Sequence, residues 1–218
     1  MQKKAFIFDL DGVIVDTAKY HYLAWRNLAN SLGFEFTEEQ NEMFKGVSRV
    51  RSLDILLDLG KYEATQAQKD EWLVQKNVEY LAFIEKMDES EILPDVPRVL
   101  DYLLGKNQGV ALGSASKNAR PILERVQLID KFQEIVDGNN VTTAKPDPEV
   151  FLNGAKALGI DQKKCIVFED SIAGVQAANT AGMISIGIGE ADVLHEADYI
   201  FKDFTEISNS FLQQLINA

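Results

Sequence analysis

The chain has 218 residues, 46% hydrophobic and 26% charged, the composition of a folded globular protein with room for one large domain or two unequal ones. Its net charge of −12 excludes a general nucleic-acid binder, which needs a basic face, yet allows a small anion held by a few local Lys and Arg. No apolar run approaches the ~20 residues that cross a bilayer, so no membrane partner is expected.

The first apolar run, 5–10, reads as a buried strand of a parallel sheet. Lys3 and Lys4 lead straight into it without the pattern of a secretory leader, so a cytoplasmic setting is expected. The run ends in Asp9 and Asp11, followed by Gly12. Ligands of open α/β sheets sit just beyond the carboxyl ends of the strands. Two acids there can serve as nucleophile and proton shuttle, or hold a metal, although Asp and Gly also make ordinary turns.

Residues 17–91 show no strand pattern. Trp25, Leu28, Ala29 and Leu32 form one helical stripe, Leu53, Leu56 and Leu57 another, and 66–87 reads as one long polar helix or a helix pair. This block is expected to be a small α-helical cap inserted into an α/β core made of 1–16 and 92–218. Hinges at 13–17 and 90–95 would let it close over the sheet edge and exclude water. After the stripe Val96, Val99, Leu100, Leu103 and Leu104 come strand-like runs at 109–113, 134–137, 164–168 and 184–188, and a weaker one at 197–201. Alternation with helices predicts a Rossmann-like parallel sheet covered on both faces. Phe204, Ile207, Phe211 and Leu215 have the spacing of one closing helix. The single cysteine, Cys165, reads as a buried strand residue and permits no intrachain disulfide. His195 reads as a surface residue.

Polar signatures follow the strands. Ser114-Ala-Ser-Lys-Asn118 offers hydroxyls and backbone N–H groups for an anion, with Pro121 tolerable in the first turn of the helix behind it. Lys145, before Pro146, can project a fixed positive charge inward. Glu169-Asp170-Ser171 opens another helix, where its acids could be simple capping or part of a metal site. Asp9, Asp11, Glu169 and Asp170 on one sheet edge would repel without a cation, and hard oxygen donors with open positions suit Mg²⁺.

Phe8-Asp-Leu-Asp-Gly-Val-Ile14, Ser114, Lys145-Pro146 and Phe168-Glu-Asp-Ser171 together resemble the four signature motifs of the haloacid dehalogenase superfamily of phosphotransferases. Asp16-Thr17, His21, Trp25, Lys45-Gly-Val-Ser-Arg49, Lys76-Asn77 and Ser114-Ala-Ser-Lys-Asn118 resemble its phosphosugar-mutase branch. Gly113 and Ala144 depart from that pattern without replacing a catalytic group. The resemblance implies that Asp9 is the nucleophile, Asp11 the general acid and base, and Ser114 and Lys145 the stabilisers of phosphoryl charge. His21 would orient Asp11, with Lys76 nearby. Asp9, the Asp11 main-chain carbonyl, Asp170 and Glu169 would hold Mg²⁺. Arg49, Ser116 and Asn118, with Lys117 adding charge, would grip a second phosphate. Thr17, Trp25, Lys45, Gly46 and Lys76 would complete the substrate site, although the stripe containing Trp25 also fits cap core. The implied reaction interconverts β-glucose 1-phosphate and glucose 6-phosphate through an aspartyl phosphate and glucose 1,6-bisphosphate. The alternative is a Mg²⁺-dependent phosphatase of a small sugar phosphate or of phosphoglycolate. The partner would be a small phosphorylated sugar, and a monomer is expected.

Overall fold

The computed structural model describes residues 3–218. Six parallel strands stand in the order β3-β2-β1-β4-β5-β6. They are β1 (Ala5–Phe8), β2 (Gly109–Gly113), β3 (Glu134–Val136), β4 (Cys165–Glu169), β5 (Ile184–Ile188) and β6 (Tyr199–Phe201). The chain reverses its direction of winding between β1 and β4, so the crevice at their carboxyl ends is the expected ligand site.

β1 is buried on both faces because its side chains alternate between two cores. Phe6 and Phe8 join α5 (Val96–Gly105), α6 (Ala119–Arg125) and α9 (Asn209–Asn217) through Leu103, Ile122 and Leu212. Ala5 and Ile7 join α7 (Glu149–Ala157) and α8 (Ile172–Thr180) through Phe151 and Ala178. Phe8 stacks on Phe168 of β4 with ring centroids 4.6 Å apart and planes 5° from parallel. Gly113 ends β2 where a Cβ would lie 2.9 Å from Phe151 and 3.0 Å from Ile7. Packing therefore accounts for the absent side chain there.

Between β1 and β2 lie α1 (Ala18–Ser31), α2 (Glu38–Asn41), α3 (Arg49–Leu59) and α4 (Gln66–Ile84). These cap helices enclose an apolar core of their own, including Trp25, Leu28, Phe36, Phe44, Leu53 and Leu56. The polar segment 66–87 holds one helix, α4, which ends at Ile84, and not a pair; Thr65 and Gln68 start it with a reciprocal capping box. The two crossings into the cap run side by side, with Leu93 N–H donating to Ile14 O at 3.0 Å and Asp16 N–H to Glu91 O at 2.9 Å. Glu91 also accepts from the Tyr20 hydroxyl at 2.6 Å and pairs with Lys19 at 2.6 Å, which binds the returning crossing to the first turn of α1.

The expected single helix through Phe204 and Leu215 is broken. Phe204–Glu206 is a 3-10 turn capped by Asp203, and α9 begins afresh where Ser208 Oγ accepts from Phe211 N–H. Two local caps override the continuous spacing, although Phe204, Ile207 and Leu215 are still buried. Among the described residues, no helix is long and apolar enough to cross a membrane.

Phe8→Ala removes the middle of the aromatic stack and should cost ~3–5 kcal/mol of folding stability. Urea denaturation measures this, and an unchanged midpoint would show that the stack is not needed to hold β1 against β4.

Candidate active site

Asp9 is the first residue beyond β1. Its N–H donates to Phe168 O at 3.0 Å, which continues the strand pairing and places the carboxylate at the sheet edge. Lys145 meets it from the loop before α7: its Nζ lies 2.5 Å from Asp9 Oδ1 and pairs also with Glu169 Oε1. The Lys145 side chain is fully buried, and Asp9 and Glu169 hold its ammonium above the ordinary lysine range against the opposing effect of burial. Glu149 steadies the approach, since its carboxylate accepts from Thr142 N–H at 2.9 Å and Thr143 N–H at 2.6 Å.

One lysine does not balance the acids. Burial raises Asp9 to about 7, with the charges of Glu169 and Asp11 adding to the rise and Lys145 opposing it. Burial, with Glu169 and Asp9, also pushes Asp170 well above the usual carboxylate range. Asp170 lies over Gly12, where a Cβ would come 2.1 Å from Asp170 Oδ2 and where φ is +78°. Only glycine accommodates both the backbone angle and the approach. The Asp170 side chain accepts no hydrogen bond among the described residues, and one oxygen of Asp9 is likewise unengaged. This excess of negative charge on oxygen donors fits a small hard divalent cation.

The four carboxylates share one sheet edge, as expected, but among the described residues no three His, Cys, Asp or Glu side chains close on a single point. Glu169 spends Oε1 on Lys145, and its Oε2 accepts from Ser171 N–H at 2.9 Å and Ser171 Oγ at 2.8 Å. It ends a strand rather than opening a helix and does not line the cavity. Asp11 is turned toward the cap, where the Thr17 hydroxyl donates to its Oδ1 and His21 Nε2 stands 3.8 Å away. Asp9 and Asp170 are the carboxylates that keep free oxygens at the cavity.

Thr17 is therefore not a substrate contact: it is buried outside the cavity and orients Asp11. Behind it, Lys76 Nζ lies 3.0 Å from His21 Nδ1. A charged lysine can only donate there, which leaves the other ring N–H facing Asp11. Lys76 has no acidic partner among the described residues. Its charge sits 4.6 Å from the Trp25 ring centroid and 4.6 Å from that of Tyr80. Trp25 touches the cavity wall, but it is 1% exposed and serves chiefly as cap core and as one side of this aromatic box. Burial, with Arg49, lowers Lys76 to about 7. Burial and Lys76 lower His21 against the pull of Asp11. Asp11 itself stays below the usual carboxylate range, because His21 and Thr17 outweigh burial.

Ser114 and Ser116 form a nested turn beyond β2, with Ser114 Oγ accepting from Ser116 N–H at 3.1 Å and Ser116 Oγ accepting from Asn118 N–H at 3.2 Å. Both hydroxyl protons remain available to an anion. In the cap, Lys45 pairs with Glu42 at 2.8 Å. Gly46, at φ +69°, rests on the core: a Cβ there would lie 2.2 Å from Ser171 Oγ. Arg49 begins α3, half-buried and without an acidic partner among the described residues. These groups line one cavity of about 650 Å³, with Asp9, Asp11, Ser114, Lys145 and Asp170 from the sheet edge and Lys45, Gly46, Arg49 and Lys76 from the cap. Ser116, Lys117 and Asn118 share the wall. His195 is exposed and does not line the cavity.

The sequence reading missed the Tyr80 side of the lysine box, the Ser171 hold on Glu169 and the Glu149 hold on 142–143. Tyr80 lies four residues after Lys76 on one helix, a spacing that places both on one face. The others were visible only as ordinary helix-start residues.

A parallel sheet with an Asp-x-Asp pair beyond its central strand, a buried lysine on the first acid and a helical lid over both defines a capped α/β enzyme. The family model of the haloacid dehalogenase-like hydrolases matches residues 3–182, and the chain belongs to that family. It is 38% identical over 213 residues to a β-phosphoglucomutase of Bacillus subtilis, covering 97% of this chain and 94% of that one. The crystal structure of a β-phosphoglucomutase from Clostridium difficile superposes with a TM-score of 0.94 at 38% identity, covering 99% of this chain and 98% of that one. A phosphorylated carbohydrates phosphatase of Thermotoga maritima is 33% identical over 186 residues, covering 83% of this chain and 82% of that one.

The buried cation of the cap gives a pH test. Lys76 is lowered from 10.5 to about 7, so its charging penalises the fold fully below about 7 and vanishes above 10.5. Lys76→Met should raise Tm most at acidic pH, with a gain that shrinks as pH rises toward 10. A gain independent of pH would contradict the assignment.

Proposed function

We propose that the chain is a Mg²⁺-dependent phosphosugar mutase that interconverts β-glucose 1-phosphate and glucose 6-phosphate by way of glucose 1,6-bisphosphate. The observation that carries this reading is the second cationic region of the cavity. Lys145 is already engaged by Asp9 and Glu169, whereas Arg49, Lys117 and the Ser116–Asn118 loop face the same space and Arg49 lacks an acidic partner among the described residues. A phosphatase needs one phosphate site; a mutase must hold a bisphosphate by both ends. The near full-length likeness to two proteins named β-phosphoglucomutase supports the same reading.

The core is taken as 1–16 and 92–218 and the cap as 17–91. Asp9 and Asp170, with the Asp11 main-chain carbonyl, would hold Mg²⁺, which offsets the repulsion between Asp9 and an anionic phosphate. Glu169 acts one step back, through Lys145. An Asp9 oxygen attacks phosphorus, the bond from phosphorus to the sugar oxygen breaks, and Asp11 returns a proton to that oxygen. In the other half-reaction a sugar hydroxyl attacks the aspartyl phosphate, Asp11 takes its proton and Asp9 is released. Ser114 and Lys145 stabilise the charge on the transferring oxygens. His21 and Thr17 aim Asp11, and Arg49 can grip the distal phosphate by two bonds. Lys45 and Gly46 place the cap loop against the sugar.

A phosphatase acting on a phosphorylated sugar is the second reading, favoured by the likeness to the Thermotoga protein. A coupled assay separates the two. β-Glucose 1-phosphate, Mg²⁺ and a trace of glucose 1,6-bisphosphate should yield glucose 6-phosphate with little free phosphate. Phosphate released without isomerisation would make the protein a phosphatase. Asp9→Asn should abolish turnover, and Asp11→Asn should slow transfer by ~10²–10⁴-fold. Arg49→Ala should raise the KM for the bisphosphate; an unchanged value would remove Arg49 from the distal site.

A further inference from the structure

One side-chain hydrogen bond crosses from the cap to the anion loop. Asn118 Nδ2 donates to Asn77 Oδ1 at 3.0 Å. Asn77 belongs to α4, next to Lys76, and does not line the cavity. Asn118 does line it, and its backbone N–H is already given to Ser116 Oγ. Among the described residues, no other side-chain hydrogen bond joins the cap to 114–118.

We propose that Asn77 is a positioning residue for the distal phosphate: it fixes the Asn118 carboxamide with its N–H₂ end toward the anion and ties that arrangement to the closed cap. The inference rests on the assignment of 116–118 to the second phosphate. A carboxamide has a donor end and an acceptor end of nearly equal size, and an unrestrained one can turn either toward a ligand. The oxygen end repels phosphate. Asn77 Oδ1 accepts one of the two amide protons of Asn118, which places the nitrogen on that side, and the second proton stays free for the phosphate. Because Asn77 rides on the cap, the restraint exists only while the cap is closed. Opening the lid releases both the amide and its grip, which suits an intermediate that must turn over between half-reactions.

The test uses the full-length Mg²⁺-loaded enzyme and two phosphoryl donors. Glucose 1,6-bisphosphate carries a distal phosphate; acetyl phosphate carries none. Asn77→Ala should raise the bisphosphate KM about 2–12-fold, the range for one neutral hydrogen bond, and leave the rate of Asp9 phosphorylation by acetyl phosphate unchanged. Asn77→Asp keeps an acceptor but adds a negative charge, so it should impair the bisphosphate more than Asn77→Ala does, with the excess relieved by salt. Equal loss with both donors would mean general damage to the cap and would overturn the proposal. So would wild-type behaviour of Asn77→Ala toward both donors. Asn118→Ala separates the two levels: if it leaves the bisphosphate KM unchanged, the distal-site assignment fails. If Asn118→Ala is impaired and Asn77→Ala is not, only the role of Asn77 fails.

Discussion

Charge at the carboxyl edge of the sheet is the constraint on which the rest depends. Asp9, Asp11, Glu169 and Asp170 are brought together by strands β1 and β4, and one buried ammonium, Lys145, answers them. The fold distributes this burden unevenly. Glu169 is neutralised by Lys145 and Ser171, and Asp11 is turned to Thr17 and His21. Asp9 and Asp170 keep free oxygens and are pushed upward by burial. A group that must attack an anionic phosphate needs such a setting, because a cation shared with the substrate resolves the repulsion only when both are present.

The cap carries the complementary problem. Arg49 and Lys76 are cations held without acidic partners among the described residues, and Trp25 and Tyr80 supply only aromatic faces to Lys76. An excess of positive charge facing an excess of negative charge across one cavity favours a bridging ligand with phosphate on it. Gly46 packed on Ser171 shows how closely cap and core approach. On the proposed mutase reading, that approach serves to limit water, which separates transfer to a sugar from hydrolysis.

Much of the core was legible in the sequence. The run before Asp9 has apolar residues on both faces, which a buried parallel strand requires, and each later strand is followed by a polar signature whose order identifies the site. What was not legible is side-chain direction. Nothing local says that Thr17 points inward to Asp11 rather than to a ligand, or that Glu169 lies behind Lys145 instead of beside Asp170. Both outcomes are set by residues distant in sequence. The continuous apolar spacing from Phe204 to Leu215 hid two caps, Asp203 and Ser208, because periodicity reports the buried face and not where the backbone is interrupted. The Asn77–Asn118 bond joins residues 41 apart, and although both segments stood out in the sequence, nothing in either shows that they meet.

On the proposed mutase reading, the aspartyl phosphate waits for a sugar because the closed cap excludes water. The direct measurement is a single-turnover experiment with the Mg²⁺-loaded enzyme phosphorylated on Asp9 by acetyl phosphate. The phosphoenzyme is mixed with buffer or with glucose 6-phosphate, and loss of the acyl phosphate is followed in each. The account predicts slow loss in buffer and loss faster by orders of magnitude with the sugar, the phosphoryl group appearing in glucose 1,6-bisphosphate. Equal rates, with the group appearing as free phosphate in both, would contradict it.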